Sequence, residues 1–397
     1  MSAAPRAVVV AGLGTVQILA WGSSYYLLAV LADPIARDTG WPLAWIVGAL
    51  SLGLLVEGLV APFVGDLIER HGGRPVLACG ALVLAAGLLG LALSPSLVAF
   101  VAAWLVVGLG MGALLYDAAF STLGRLYGLG ARRLITCLTL FGGFASTVCW
   151  PLSAFLVAWL GWRGACTIYA AIQVGISVPL ILMCLPREPA RPRHVTAADD
   201  PAMPAVRNPR RRRRMVLIAS AFTLTSMIAA VISIHLLTIL QARGATLAAA
   251  VAAGALIGPS QVAARVVEML LGQRHHPVWA MLGSSLLVTM GLAALWADLP
   301  WLALAIILYG GGMGIRSIVR GSVPLAVFGA EGYAALMGRI AMPSLVIGAV
   351  SPFVGAVLIE RFGLDATLGV LTGAAILSAV LSLVLIADVT RRTPAEA

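Results

Sequence analysis

From Pro75 to Gly124 the chain carries a single charged side chain, Asp117. No water-facing fold can solvate fifty such residues in one piece. About 20 consecutive apolar residues cross the roughly 30 Å hydrocarbon core of a bilayer as a helix. Similar runs recur along the whole chain: 61% of its residues are hydrophobic and 11% charged, where a soluble domain carries about 25% charged residues. A membrane β-barrel would show alternating segments of about ten residues, and the runs do not alternate. The sequence predicts an all-α integral membrane protein with twelve spans, near 7–31, 42–66, 75–94, 97–124, 133–160, 163–186, 215–241, 246–271, 278–297, 300–328, 332–360 and 364–388. The first run is too long for a signal core, and Trp21, Tyr25 and Tyr26 interrupt it, so no cleavable leader is expected.

The charges orient the spans. All 26 basic residues are Arg. With both termini inside, Arg37, Arg163, Arg243 and Arg361 fall outside, Arg265, Arg316 and Arg320 fall within spans, and the other 19 lie on the cytoplasmic side. That is the positive-inside asymmetry. The net charge of +10 therefore reports topology and gives no reason to expect nucleic acid. An Arg-only chain fits a GC-rich bacterial genome, hence the bacterial cytoplasmic membrane.

The long polar stretch, REPARPRHVTAADDPAMPAVRNPRRRRR at 187–214, reads as a cytoplasmic Arg- and Pro-rich linker. It separates an N-terminal six-helix bundle, 1–186, from a C-terminal one, 215–397. The run Arg210–Arg214 is placed to hold the next span at the anionic inner leaflet. The five cysteines fall in the first half, none in a C-x-x-C pair, and read first as packing residues, with soft-metal or metalloid ligation the alternative.

The halves echo each other. Gly108, Gly110, Met111 and Gly112 return as Gly310, Gly312, Met313 and Gly314, each 202 places later, and Pro75 returns as Pro277 at the same offset. Pro151 and Pro352, inside similar stretches, are 201 apart. A duplicated six-helix unit is the architecture of transporters whose halves rock about a central site. The six glycines are expected to let helices approach closely. Each weakens a helix by about 1 kcal/mol relative to Ala, yet breaking backbone bonds in lipid costs more, so the helix is expected to persist. After the glycines the copies diverge: the first runs into Tyr116 and Asp117, the second into Arg316 and Arg320.

Between spans 2 and 3 the chain reads GDLIERHGGRP. With its twelve spans and paired halves, this resembles the signature of the major facilitator superfamily. Glu69 stands where the family usually has Asp, and Gly73 replaces a basic residue. The resemblance implies the twelve-helix, two-bundle fold and gives Gly65, Glu69, Arg70 and Arg74 the role of a conformational latch. The stretch ARRLITCLTLFGGFAST resembles the corresponding part of monocarboxylate and oxalate–formate porters more weakly. Trp104 stands where a family pattern has Arg, and Ser146, Trp150, Pro151 and Ala154 only partly reproduce the drug-antiporter motif of span 5.

A charge at the bilayer centre costs about 2.5–3.5 kcal/mol, so it marks a cavity or an ionic partner. Arg265 is the first candidate substrate anchor, because a guanidinium fork grips a carboxylate in bidentate fashion; an internal pair with Glu268 is the structural alternative. Arg316 is the second anchor. Gln261, Trp21, Tyr25, Tyr26 and His235 are further pocket candidates, with Gln17 and Tyr116 weaker ones. Asp117 and Glu57 could carry a proton or pair with Arg; Glu268 and Arg320 are ion-pair candidates.

These residues point to a secondary transporter of a small organic anion, a monocarboxylate first, working by alternating access with protons or a counter-anion. A drug or metalloid exporter is the alternative, and a non-transporting membrane sensor a remote one. No enzyme constellation, metal site or cofactor is expected, no Walker lysine exists for ATP-driven transport, and one chain holds both halves needed to function as a monomer.

Overall fold

The computed structural model describes residues 5–189, 209–299 and 301–390; their regular structure is helical throughout. Most of the expected linker, residues 190–208, lies outside the described residues. Among the described residues, eight helices or helix runs are long and apolar enough to cross a membrane. Two of them, Leu97–Cys184 with 88 residues and Tyr333–Thr390 with 58, far exceed the roughly 20 residues of one crossing. Each is broken inside by glycine at positive φ, Gly161 at 68° and Gly363 at 79°. A side chain with a Cβ resists that backbone conformation. These two glycines are also 202 positions apart, so the duplication extends to the turns.

By contacts the chain forms two compact units, Met1–Pro192 with Ala330–Met342, and Arg193–Gly329 with Pro343–Ala397. The first contains α1 (Arg6–Gly22), α2 (Leu28–Thr39), α3 (Leu43–His71), α4 (Gly73–Ala92), α5 (Leu97–Leu114), α6 (Tyr116–Tyr127), α7 (Ala131–Gly143), α8 (Ala145–Ile172) and α9 (Val178–Cys184), with a π-helical turn at Gln173–Ser177 between the last two. Several expected spans are therefore interrupted. Span 1 unwinds between α1 and α2, and span 4 breaks at Leu115, whose backbone is extended (φ −73°, ψ −167°). The glycine phrase itself stays helical; the break comes three residues beyond Gly112. A carbonyl it exposes, that of Leu114, accepts a hydrogen bond from Gln17 Nε2 at 2.7 Å, which satisfies a group that lipid could not.

Glycine decides how closely these helices sit. Gly108 meets the backbone of Gly53, and a Cβ at Gly112 would stand 2.6 Å from Val60; both partners are on α3. Gly110 faces the other way, where a Cβ would stand 2.6 Å from the Leu84 nitrogen on α4. Three glycines at alternate positions thus seat two helices on two faces of α5. Segment 330–342 joins this unit through similar seats: Gly338 rests on the backbone of Ala61, and the Tyr333 ring fills the notch at Gly124.

The second unit contains α10 (Pro209–Ala242), α11 (Leu247–Gly254), α12 (Ile257–Leu271), α13 (Pro277–Trp296), α14 (Leu302–Phe328) and most of α15 (Tyr333–Thr390), whose first residues belong to the first unit. Its buried core draws Ile232 from α10, Val288 from α13, Ile306 from α14 and Leu368 from α15. The seating repeats: Gly314 meets the Gln261 backbone on α12, and a Cβ at Gly312 would stand 2.7 Å from the Ser284 carbonyl on α13. Residues Arg210–Arg214, expected as the end of the linker, lie in the first turns of α10, which begins at Pro209. Arg213 and Arg214 pair with Asp388 at 3.4 and 2.6 Å, and Arg211 lies over the Phe328 ring.

Each unit also clamps its own glycine turn. Beyond Gly161, Trp162 Nε1 donates to Asp38 at 2.8 Å, and Arg163 pairs with the same carboxylate. Beyond Gly363, Asp365 pairs with Arg243 at the end of α10. The acid and base have exchanged sides between the two repeats.

Candidate substrate and coupling residues

In the second unit the expected basic residues fall on two adjoining helices. Gly314 lets the backbone of α12 rest on α14 at Gln261. One turn further along α12, Arg265 is 6% exposed, and its Nη2 donates to Gln261 Oε1 at 3.3 Å. The Glu268 carboxylate turns toward Gly272, the opposite direction along the helix. Arg316 is half-buried on α14, and its Nε donates to the buried Thr225 hydroxyl on α10 at 3.1 Å. Arg320, one turn on, is also half-buried. His235 Nε2 is in a hydrogen bond with the Pro352 carbonyl at 3.2 Å. Sequence reasoning had not singled out Thr225, because a threonine in an apolar helix carries no mark of an Arg partner.

In the first unit the aromatic candidates assemble around Trp21, at the end of the α1 stretch that unwinds. Its ring lies 5.4 Å from Tyr25, 6.1 Å from Tyr26 and 5.1 Å from Tyr116. Trp150 closes on Tyr26 at 6.1 Å, and Phe120 stacks on Tyr116 at 5.2 Å. Trp21 Nε1 donates to Gln17 Oε1 at 3.2 Å, so the amide that holds the Leu114 carbonyl also fixes the indole. Gln17 and Tyr116, weaker candidates from sequence, stand at the centre of this arrangement.

The two acids take different positions. Glu57 is 5% exposed on α3, its backbone beside Gly112. Asp117 lies in the first turn of α6, where the break at Leu115 has created a helix N-terminus within the span. A carboxylate there interacts favourably with the positive end of the helix dipole. Continuous-helix reasoning could not have found that setting.

The signature loop divides its work. Gly65 meets the backbone of Ala334, and Glu69 Oε2 accepts from the Ala334 nitrogen at 3.3 Å, at the start of α15. Arg339 reaches Asp66 at 4.0 Å. Arg74 instead holds the Leu182 carbonyl near the end of α9, through Nε at 3.0 Å and Nη2 at 2.6 Å. Arg70 is half-buried at the end of α3. The centre of this region is a residue the sequence reading passed over. Arg125 donates through Nε to Glu188 at 3.2 Å, through Nη1 to the Ile68 carbonyl at 2.6 Å and the Glu69 carbonyl, and through Nη2 to the Pro189 carbonyl at 3.1 Å. Because it lies just past the apolar run of span 4, it counted there as one more cytoplasmic charge.

The family model described as Major Facilitator Superfamily matches residues 13–269. Human monocarboxylate transporter 11 is 30% identical over 204 residues, 49% of this chain and 41% of that protein, so the chain spans about two fifths of that relative's length. Among solved structures, the human organic anion transporter MFSD10 (TETRAN) aligns with a TM-score of 0.75 at 18% identity, over 95% of this chain and 99% of that one. The proton:xylose symporter XylE bound to 6-bromo-6-deoxy-D-glucose aligns with a TM-score of 0.71 at 14% identity, over 95% and 94%. At those identities the structural likeness speaks for the fold alone. With a family match over more than half its length, on a helical framework built of glycine-seated apolar spans, this chain is a multi-pass membrane transporter, not an enzyme, and belongs to the major facilitator superfamily.

Proposed function

We propose that the protein moves a small organic anion, a monocarboxylate first, across the bacterial inner membrane by alternating access, driven by protons or by exchange for another anion. The observation that carries this reading is Arg316, a half-buried cation within a membrane helix whose Nε donates to the Thr225 hydroxyl on the neighbouring helix. A guanidinium offers five donors in a fork that matches a carboxylate. Arg265, held by Gln261 on the adjoining helix, is the second anchor. The names of two similar proteins, a monocarboxylate transporter and an organic anion transporter, favour the same class. In this reading Trp21, Tyr25 and Tyr26 contact the organic part of the substrate. Asp117 or Glu57 carries the proton, and Gly65 and Glu69 form the latch with the start of α15.

The test is thermal stabilisation of the purified protein against carboxylates, amines, sugars and arsenite at two pH values, with Arg316→Gln and Arg265→Gln in parallel. A carboxylate at 100 times its Kd adds about 2.7 kcal/mol of stability. Both variants are expected to lose that response. Stabilisation by amines or arsenite alone, or an undiminished carboxylate response in both variants, overturns the anion reading in favour of an exporter.

A further inference from the structure

Away from the residues used so far, the first unit buries a polar cluster where two backbone irregularities meet. Span 6 passes through the π-helical turn Gln173–Ser177, and span 1 has unwound after Gly22. Gln173 Nε2 donates to Ser23 Oγ at 2.9 Å, which joins the two. Gln173 and Ser177 are each 0% exposed, and neither Gln173 Oε1 nor Ser177 Oγ has a hydrogen-bond partner among the described residues. Buried polar atoms nearly always find partners, and the requirement is strictest at membrane depth. Two such oxygens one π-turn apart therefore point to something that binds them, and π-turns recur at functional sites.

The chemistry of the cluster selects what binds. The amide hydrogens of Gln173 are directed at Ser23, so its Oε1 is purely an acceptor. The Ser24 hydroxyl donates to the Ala20 carbonyl at 2.6 Å and that of Ser23 turns toward the same carbonyl at 3.4 Å, which leaves oxygen lone pairs rather than protons to the surroundings. The C-terminal end of α1 adds the negative pole of its dipole. None of these side chains carries a charge. A set of neutral oxygens beside an unwound membrane helix suits a monovalent hard cation, and lacks the carboxylates on which divalent sites depend. We propose that Gln173 and Ser177, with Ser23, form a buried binding site for sodium or a cation of its class, between the unwound part of span 1 and the π-turn of span 6. Because Ser23 follows directly on the Trp21 cluster, occupancy would order the stretch that presents Trp21, Tyr25 and Tyr26.

The site is tested without any carboxylate, so its failure is separate from failure of the anion reading. The full-length protein is melted in sodium, potassium, lithium and choline chlorides at one ionic strength. The expected result is a saturable rise in melting temperature with sodium that choline does not reproduce. Gln173→Leu and Ser177→Ala should each abolish that rise; Ser177→Ala should also melt at or above the wild-type temperature in choline, because it removes an orphaned oxygen and no hydrogen bond. Should Gln173→Leu fail to fold, the smaller Ser177→Ala change still decides. Indistinguishable melting in all four salts would mean a trapped water only and overturns the proposal, as would a sodium response that both variants retain.

Discussion

Replacing Arg125 by Gln should cost the first unit about 3–4 kcal/mol, a figure the surroundings set. The Arg125 side chain is 1% exposed and that of Glu188, its partner, 14%. Removing one member of a buried pair costs about 3–5 kcal/mol, because the other is left charged and uncompensated. Glu188 retains some contact with water, which places the cost near the lower end. Arg125 also donates to Ile68 and Glu69, whose carbonyls lie in the last turn of α3. A cation at a helix C-terminus contributes about 0.3–1 kcal/mol more. Replacing Glu188 by Gln in the same chain should return about 1–2 kcal/mol, since the stranded carboxylate is then gone. Removing both partners is thus expected to cost less than removing Arg125 alone. The protein supplies its own reporter: all five thiols lie in the first unit, and Cys149, Cys166 and Cys184 are buried. A thiol-reactive dye, at one fixed scan rate because unfolding in detergent is irreversible, reads when that unit opens. An Arg125→Gln protein that melts with the wild type refutes the argument. So does a double variant that melts below the single one.

Two further outcomes follow from packing and charge. On α14, adjacent glycines should respond with opposite sign: a Cβ at Gly311 would lie 3.8 Å from Ala264, so Gly311→Ala should gain up to about 1 kcal/mol of helix propensity. Gly312→Ala drives a Cβ to 2.7 Å from the Ser284 carbonyl and should lose about 1–3 kcal/mol; equal melting temperatures would sink the seating argument. At the Gly161 turn, the Trp162 hydrogen bond first, and that of Arg163 second, hold the Asp38 carboxyl below its ordinary value of 3.8. The folded pKa is depressed, so the contribution is complete above that ordinary value and is lost as pH falls through the folded one. Asp38→Asn should therefore flatten the acid limb of the stability profile below about pH 4, and an unchanged limb in that variant would contradict the clamp.

What could be read in advance follows from which residues announce themselves. Apolar runs broken by Gly72, Gly161 and Gly363 are visible because lipid forbids alternatives to helix, and the offset of 202 is visible because glycine seats tolerate no other side chain. Arg265 and Arg316 stand out because a charge in hydrocarbon is expensive. Thr225, Gln173 and Ser177 do not, since a neutral polar residue costs little in a hydropathy sum and its partner is set by tertiary packing. The break at Leu115 was hidden for a related reason. ALLYDAAF contains neither proline nor glycine, and its exposed carbonyl is satisfied by Gln17, nearly a hundred residues earlier.

That break explains why the two glycine phrases end differently. Adding 202 to Leu114 gives Arg316, to Ser23 gives Thr225 and to Gln17 gives Ala219. In both repeats a polar bond joins the first and fourth spans at this level, with donor and acceptor drawn from different places. In the first repeat Gln17 on span 1 reaches the Leu114 backbone, α5 ends there, and Asp117 opens a new helix. In the second, position 219 is alanine and can reach nothing; Arg316 crosses to Thr225, Ser317 Oγ donates to the Gly314 carbonyl at 2.7 Å, and α14 runs on unbroken. One duplicated contact has thus become a broken helix with an acid at its new N-terminus in one unit, and a continuous helix carrying a cation in the other. Asp117 and Arg316, which differ most between the copies, are set by that divergence. The proposed transport of an anion coupled to a proton needs chemically unlike residues from the two halves, and the exchanges at positions 17/219, 23/225 and 114/316 separate them.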